Sequence, residues 1–212
     1  MKQVRGIFLP DGDTYFAKII ERDGNFEAGR LDCAFRYISS YCIAVDVGAH
    51  VGLRSQELAP RFSAVYAFEP HPETFACLQK NIGDYANVIS LNYALGDEEK
   101  EVGIRESTTR SGNSGSFFCT EGSGIEMRTL DSFGLKHLGF LKIDVEGLEA
   151  LVIQGGQETI QRDHPVIFLE QKNFKDREGR AEIDYRKAGQ ILESWGARCV
   201  DQVRNDKVYV WE

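Results

Sequence analysis

The sequence has no two cysteines close enough to form a C-x-x-C motif: Cys33, Cys42, Cys77, Cys119 and Cys199 are scattered singly. That removes zinc-ribbon and thioredoxin-like readings, and the thiols read as small buried hydrophobes in a reducing compartment. Basic residues are also scarce, with 25 Lys+Arg against 33 Asp+Glu and a net charge of -8. A nucleic-acid binder needs a basic footprint, so no nucleic-acid partner is expected. The acidity suits a cationic small ligand instead. Long apolar runs are missing too. The longest tract, near Ile43, is broken by Asp46, and only Gly6 to Leu9 precede Pro10 at the N-terminus. Neither a bilayer span nor a secretory core can be built from these, and there is no N-x-S/T sequon. A cytoplasmic protein without membrane insertion is expected. What remains is ordinary: 212 residues, 42% hydrophobic, enough to bury a core without staples. We read residues 1–212 as a single domain, with 1–40 a lead-in and 41–212 the core.

In the lead-in, residues 13–20 read as an edge strand, and Leu31, Ala34, Phe35 and Ile38 as the stripe of an amphipathic helix. A different rhythm follows. Ile43-Ala-Val-Asp-Val47, Ala64-Val-Tyr-Ala-Phe68, Val88-Ile-Ser-Leu91, Phe140-Leu-Lys-Ile143 and Val166-Ile-Phe-Leu169 are strand-like runs separated by helical stretches. Near-continuous apolar strands alternating with helices predict a parallel sheet covered on both faces. Residues 96–128 interrupt the alternation with two strand-like pieces around a Gly/Ser/Thr loop. Ala188, Ile191, Leu192 and Trp195 mark a last helix, and the chain closes on an antiparallel hairpin turning at Arg204-Asn205-Asp206.

Asp46-Val-Gly48-Ala-His50-Val-Gly52 leaves the first core strand and enters a helix. Glycines there let the backbone turn sharply and approach a ligand. Glu69 ends the next strand, where a carboxylate can accept hydrogen bonds from both ribose hydroxyls of an adenosine-bearing cofactor. A dinucleotide fingerprint would need G-x-G-x-x-G, but the chain reads Gly48-x-His50-x-x-Leu53. The second and third glycines are missing, which disfavours a nicotinamide-dependent oxidoreductase. Asp46 would repel a pyrophosphate and suits an ammonium better.

These blocks, with Phe68-Glu-Pro70-x-Pro72-x-x-Phe75, Asn92-Tyr-Ala-Leu-Gly-Asp97, Leu141-Lys-Ile-Asp-Val-Glu-Gly147, Leu151-Val-Ile-Gln-Gly-Gly156 and Phe168-Leu-Glu170, resemble the FkbM-type methyltransferases over roughly residues 40–172. The resemblance implies an S-adenosyl-L-methionine cofactor. It also implies an α/β, three-layer Rossmann-like sandwich around a mostly parallel seven-stranded sheet with an antiparallel C-terminal strand. Asp46, Gly48 and Gly52 would line the methionine moiety, Glu69 would hold the ribose, Ala94 and Leu95 would flank adenine, and Pro70 would also contact the cofactor. His50 stands where the family commonly has Asn, and its imidazole can still hydrogen-bond the cofactor.

Asp144, Glu146 and Glu170 lie at strand ends where such folds carry their chemistry, so they are the candidate catalytic residues. Asp144 would also sit near the sulfonium. Arg110, Ser111, Asn113 and Ser114 are candidate acceptor contacts on the Gly/Ser/Thr loop. No metal is assigned, although three acids on one rim form a donor set for a divalent cation. The function expected is O-methylation of a hydroxyl on a small molecule or glycan. A cofactor-binding domain without methyl transfer is the alternative. Nucleic-acid N-methylation is disfavoured, because Asp144-Val-Glu-Gly147 lacks the Asn/Asp-Pro-Pro-aromatic tetrad.

Overall fold

The computed structural model describes residues 1–24, 26, 29–107, 111–172 and 185–211. The chain opens on a small antiparallel hairpin, β1 (Lys2–Val4) and β2 (Ile7–Leu9), followed by helices α1 (Tyr15–Asp23) and α2 (Asp32–Phe35). The core then alternates: β3 (Ile43–Val47), α3 (Leu53–Leu58), β4 (Ala64–Phe68), α4 (Pro72–Asn81) and β5 (Val88–Leu91). Three strands interrupt it, β6 (Ala94–Leu95), β7 (Lys100–Glu106) and β8 (Phe117–Arg128), and they pair with one another in a separate sheet. The alternation resumes with β9 (Leu138–Ile143), α5 (Glu149–Gly155), α6 (Gln157–Asp163), β10 (Val166–Glu170) and α7 (Lys187–Ser194), and it ends in the hairpin β11 (Ala197–Val203) and β12 (Asp206–Trp211).

The main sheet has seven strands in the order β11-β12-β10-β9-β3-β4-β5. Neighbours from β10 through β5 run parallel, and β12 runs antiparallel to both β10 and β11. Side-chain alternation splits the apolar residues between two faces. Val45, Val47, Leu141, Ile143, Ile167 and Leu169 pack with Val152 and Ile153 of α5 and Leu192 of α7. Ala44, Val65, Phe140, Phe168 and Val208 pack on the other face with Leu31, Ala34, Leu58 and Phe62. This gives the three layers expected, with each buried Leu, Phe or Ile contributing about 1.5–3 kcal/mol of burial. Because the parallel strands point one way, Gly48, Glu69, Asp144 and Glu170 emerge at the same edge.

Four expectations need correction. Residues 13–20 are not an edge strand, because Tyr15–Asp23 is helical. Phe16 and Ile20 are one turn apart and buried, Asp13 Oδ1 accepts the Phe16 N–H at 2.8 Å, and Gly24 closes the helix in the left-handed region. The stripe from Leu31 to Ile38 is buried as expected, but the helix itself spans only Asp32–Phe35. The helical stretch expected between Ile143 and Val166 is two helices, α5 and α6, breaking at Gly155 and Gly156. A Cβ on Gly155 would lie 1.9 Å from the Gly96 carbonyl oxygen, so the break sits where the helix backbone touches the residue just after β6. Finally, the cysteines are all free, but only Cys77 is buried, and Cys42 and Cys199 are exposed. Among the described residues, no helix is long and apolar enough to cross a membrane.

Candidate active site

The β3–α3 connection is shaped by three positive-φ residues, Gly48 (74°), His50 (52°) and Gly52 (90°). Gly48 and Ala49 both donate to the Phe68 carbonyl, at 3.0 and 2.9 Å, which ties the loop to the end of β4. A Cβ on Gly48 would stand 1.9 Å from the backbone oxygen of Asp144. The loop therefore lies directly against the end of β9, closer than any other residue type allows. Gly48→Ala is expected to combine left-handed strain with a backbone clash, lowering the unfolding free energy by about 2–5 kcal/mol. Urea denaturation followed by circular dichroism would measure it, and a loss below about 1 kcal/mol would contradict this packing.

Asp46 lies beneath this loop. Its side chain is fully buried, Oδ1 pairs with Lys142 Nζ at 3.0 Å, and Oδ2 accepts from Ser55 Oγ at 2.7 Å. Lys142 in turn donates to the Gly48 carbonyl at 2.7 Å. Burial opposes the lysine charge, but the carboxylates of Asp46 and then Asp144 outweigh it and raise the Lys142 pKa. Asp46 and Gly52 thus brace the loop from behind and do not line the cavity described below.

Glu69 stands at the rim, 7% exposed, and each oxygen accepts one backbone N–H at 2.9 Å, from His50 and from His71. Burial dominates these two hydrogen bonds and pushes its pKa up to about 7. Across the site, Asp144 shares a hydrogen bond with Glu170. Burial together with the charge of Asp144 raises the Glu170 pKa, so Glu170 is the member of the pair that favours the proton. Burial would also raise Asp144, but Lys172 and Lys142 more than offset it and hold Asp144 ionised, below the usual carboxylate range. The ammonium of Lys172 lies 2.9 Å from Glu146 Oε1 and 2.6 Å from Glu170 Oε2. Glu146 adopts a left-handed φ of 53°, uncommon for a residue with a side chain. Carboxylate oxygens of Asp144, Glu146 and Glu170 all fall within 4.8 Å of one another, and Lys172 pairs with Glu146 and Glu170.

Both clusters open into one cavity of about 890 Å³. One end is walled by Gly48, His50, Glu69, Pro70, Ala94 and Leu95, and the other by Asp144, Glu146, Glu170 and Lys172. Ser111, Asn113 and Ser114 line it as well, whereas Arg110 lies outside the described residues. Aromatic rings form part of the wall: Phe117 stacks on His71 at 4.1 Å, and Phe16 packs against His50 at 4.5 Å. Sequence reasoning missed Lys172, although a lysine two residues beyond a strand-end acid was a usable signal. It missed Asp13 as well, and Glu149, whose buried carboxylate caps the N–H of Gly147 at 3.0 Å. Asp13 carried at most the local signal of an acid three residues before Phe16, because its other partner, Ser114, is a hundred residues away.

A family model described as the Methyltransferase FkbM domain matches residues 46–199. A hexuronic acid methyltransferase, AglP, from Haloferax volcanii is 32% identical over 130 residues, covering 58% of this chain and 53% of that protein. The chain thus spans about half the length of the curated relative it matches. Among solved structures, Methyltransferase FkbM from Methylobacillus flagellatus KT has a TM-score of 0.55 at 18% identity, over 97% of this chain and 48% of its own. A ribosomal protein L11 methylase from Lactobacillus delbrueckii subsp. bulgaricus has a TM-score of 0.52 at 11% identity, over 86% and 76%. These two likenesses concern the fold alone. With the family model spanning the glycine loop, both acid clusters and the closing helix, the chain belongs to the FkbM methyltransferase family.

Proposed function

We propose that the protein binds S-adenosyl-L-methionine and methylates an oxygen of a sugar-acid or other glycan acceptor. The observation that carries this is one cavity that brings the carboxyl cluster of Asp144, Glu146 and Glu170 together with Glu69 and the bare Gly48 backbone. The donor set fits the cofactor. Gly48 leaves no side chain between the loop and a ligand, and Glu69 offers a carboxylate at the ribose position. Tyr93, Ala94, Leu95 and Phe118 supply an apolar wall for a base, and Asp144 is an anion for a sulfonium. Asp46 acts one step back, by neutralising the lysine that braces Gly48.

When bound, the cofactor supplies an electrophilic methyl group on a sulfonium. The chain has to hold the acceptor oxygen in line with that methyl, which through proximity contributes up to about 7–11 kcal/mol. Asp144 accepts the acceptor's proton as the oxygen becomes nucleophilic, since Glu170 already carries one. Lys172 keeps Asp144 ionised, pairs with Glu146 and also contacts Glu170 Oε2. The remaining cavity, with Arg30, Arg204, Asn205 and Asp206 on its wall, presents charges of both signs, suited to an acceptor rich in hydroxyl and carboxylate groups. The name of the Haloferax volcanii relative supports a hexuronic acid among such acceptors.

The test is release of S-adenosylhomocysteine on a panel of hexuronic acids, their glycosides, neutral sugars and simple alcohols. Turnover is expected with sugar acids and their glycosides ahead of neutral sugars. No turnover on any of them, with S-adenosylhomocysteine nevertheless bound in calorimetry, would favour a cofactor-binding domain without methyl transfer.

A further inference from the structure

Asp13 is 1% exposed and lies outside the segment matched by the family model. Its Oδ1 accepts the Phe16 N–H at 2.8 Å, and its Oδ2 accepts the Ser114 N–H at 3.0 Å and the Ser114 hydroxyl. Both oxygens are therefore acceptors. On the far side of the same hydroxyl, His50 Nε2 lies 2.6 Å from Ser114 Oγ. Three distant parts of the chain meet here: the lead-in, the loop before β8 and the glycine loop.

The hydrogen count fixes the chemistry. A serine hydroxyl has one hydrogen, and here it goes to Asp13. Toward His50 the oxygen can then only accept, so Nε2 must carry the imidazole hydrogen. Burial pushes the His50 pKa down to about 4, so the ring is neutral and has one N–H only. Nδ1 is left as an acceptor. Phe16, packed against the ring at 4.5 Å, restrains its rotation, and His50 lines the cavity beside Gly48.

We propose that Asp13, acting through Ser114, is a positioning residue that sets the tautomer of His50 so that Nδ1 accepts a hydrogen bond from the ammonium of the methionyl end of the cofactor. This rests on the cofactor reading above. It gives the lead-in a part in cofactor recognition, through residues that make no contact with the cofactor in this scheme. A backbone held at a positive φ in His50 is consistent with a side chain that must point one way.

The experiment has two arms. Long-range 1H–15N spectra of the ligand-free protein with labelled histidine, assigned by the loss of His50 signals in His50→Asn, report the tautomer directly. The neutral Nε2–H form is expected at pH 7. The Nδ1–H form or an imidazolium there would overturn the proposal without touching the cofactor reading. In calorimetry, Ser114→Ala is expected to weaken S-adenosylhomocysteine about tenfold, the loss of one well-placed hydrogen bond. Methylthioadenosine, which lacks the amino-acid tail, should bind both proteins alike, and Ser114→Thr should restore the tail's contribution. Equal losses for both ligands, or none, would overturn the proposal. If wild-type protein binds neither ligand, the cofactor reading fails first and takes the methionyl contact with it.

Discussion

Glu69→Gln should weaken S-adenosylhomocysteine binding between about ten- and hundredfold, the range for hydrogen bonds lost from a charged acceptor. The carboxylate has two tasks in the proposed site. Its oxygens hold the backbone N–H groups of His50 and His71, and they face the cavity where ribose hydroxyls are placed. A glutamine keeps one acceptor and turns an amide hydrogen toward a backbone hydrogen, so one of the two anchors must open. Calorimetry measures the loss. An unchanged affinity would move the ribose elsewhere in the cavity.

The same residue predicts a pH dependence of definite sign. Burial raises the Glu69 pKa to about 7 from 4.5, and Glu149 is raised to about 7 by the same cause. In both, the folded state holds the proton more tightly than the unfolded chain does. Their contribution to stability is therefore complete below pH 4.5 and is lost as the pH rises through 7, at about 3 kcal/mol for each group. Urea midpoints should fall between pH 5 and pH 8, and Glu69→Gln should flatten that slope. Ribose hydroxyls donate to the ionised form, so S-adenosylhomocysteine should bind more tightly at pH 8 than at pH 6 and release protons as it binds. Calorimetry in buffers of different ionisation enthalpy reads that release, and proton uptake would contradict it.

Much of this site was legible before folding because its determinants are local. A strand that ends in glycine, a strand that ends in an acid and a helix opened by proline each announce themselves within a few residues. The parallel sheet followed from alternation, and the closing antiparallel hairpin from the turn at Arg204-Asn205-Asp206. What could not be read is what depends on contacts across the sheet. Asp46 looked like a ligand contact, but Lys142 lies opposite it in the β3–β9 register and pairs with it. Residues 13–20 contain enough β-branched and aromatic residues to imitate a strand. The helix there is secured by its Gly24 cap and by burial of Phe16 and Ile20, and only the cap is visible locally. Glu146 and Glu149 are both acids after β9, yet Glu149 caps the local backbone while Glu146 pairs with Lys172. Their division of roles is set by the left-handed turn at Glu146 and Gly147, which no periodicity reveals.

Asp144→Asn should lower kcat by about 10²–10⁴, the usual contribution of a positioned general base, while changing S-adenosylhomocysteine affinity by less than about tenfold. The outcome depends on which of two hydrogen-bonded acids holds the proton. Glu170 is deeply buried beside the negative charge of Asp144, whereas Asp144 has Lys172 and Lys142 to hold it ionised. Only the ionised partner can accept a proton from the acceptor, so the two substitutions should differ sharply. Glu170→Gln keeps a hydrogen-bond donor toward Asp144 and should reduce kcat by less than about tenfold. Lys172→Met removes the first of the two cations, which raises the Asp144 pKa. The acid limb of the kcat–pH profile, at saturating cofactor, should then move to higher pH. Lys172→Arg should leave that limb near its wild-type place, which a purely structural role for the lysine would not require. If Glu170→Gln proves the more damaging of the two acid substitutions, the base is Glu170, and the proton must sit on Asp144.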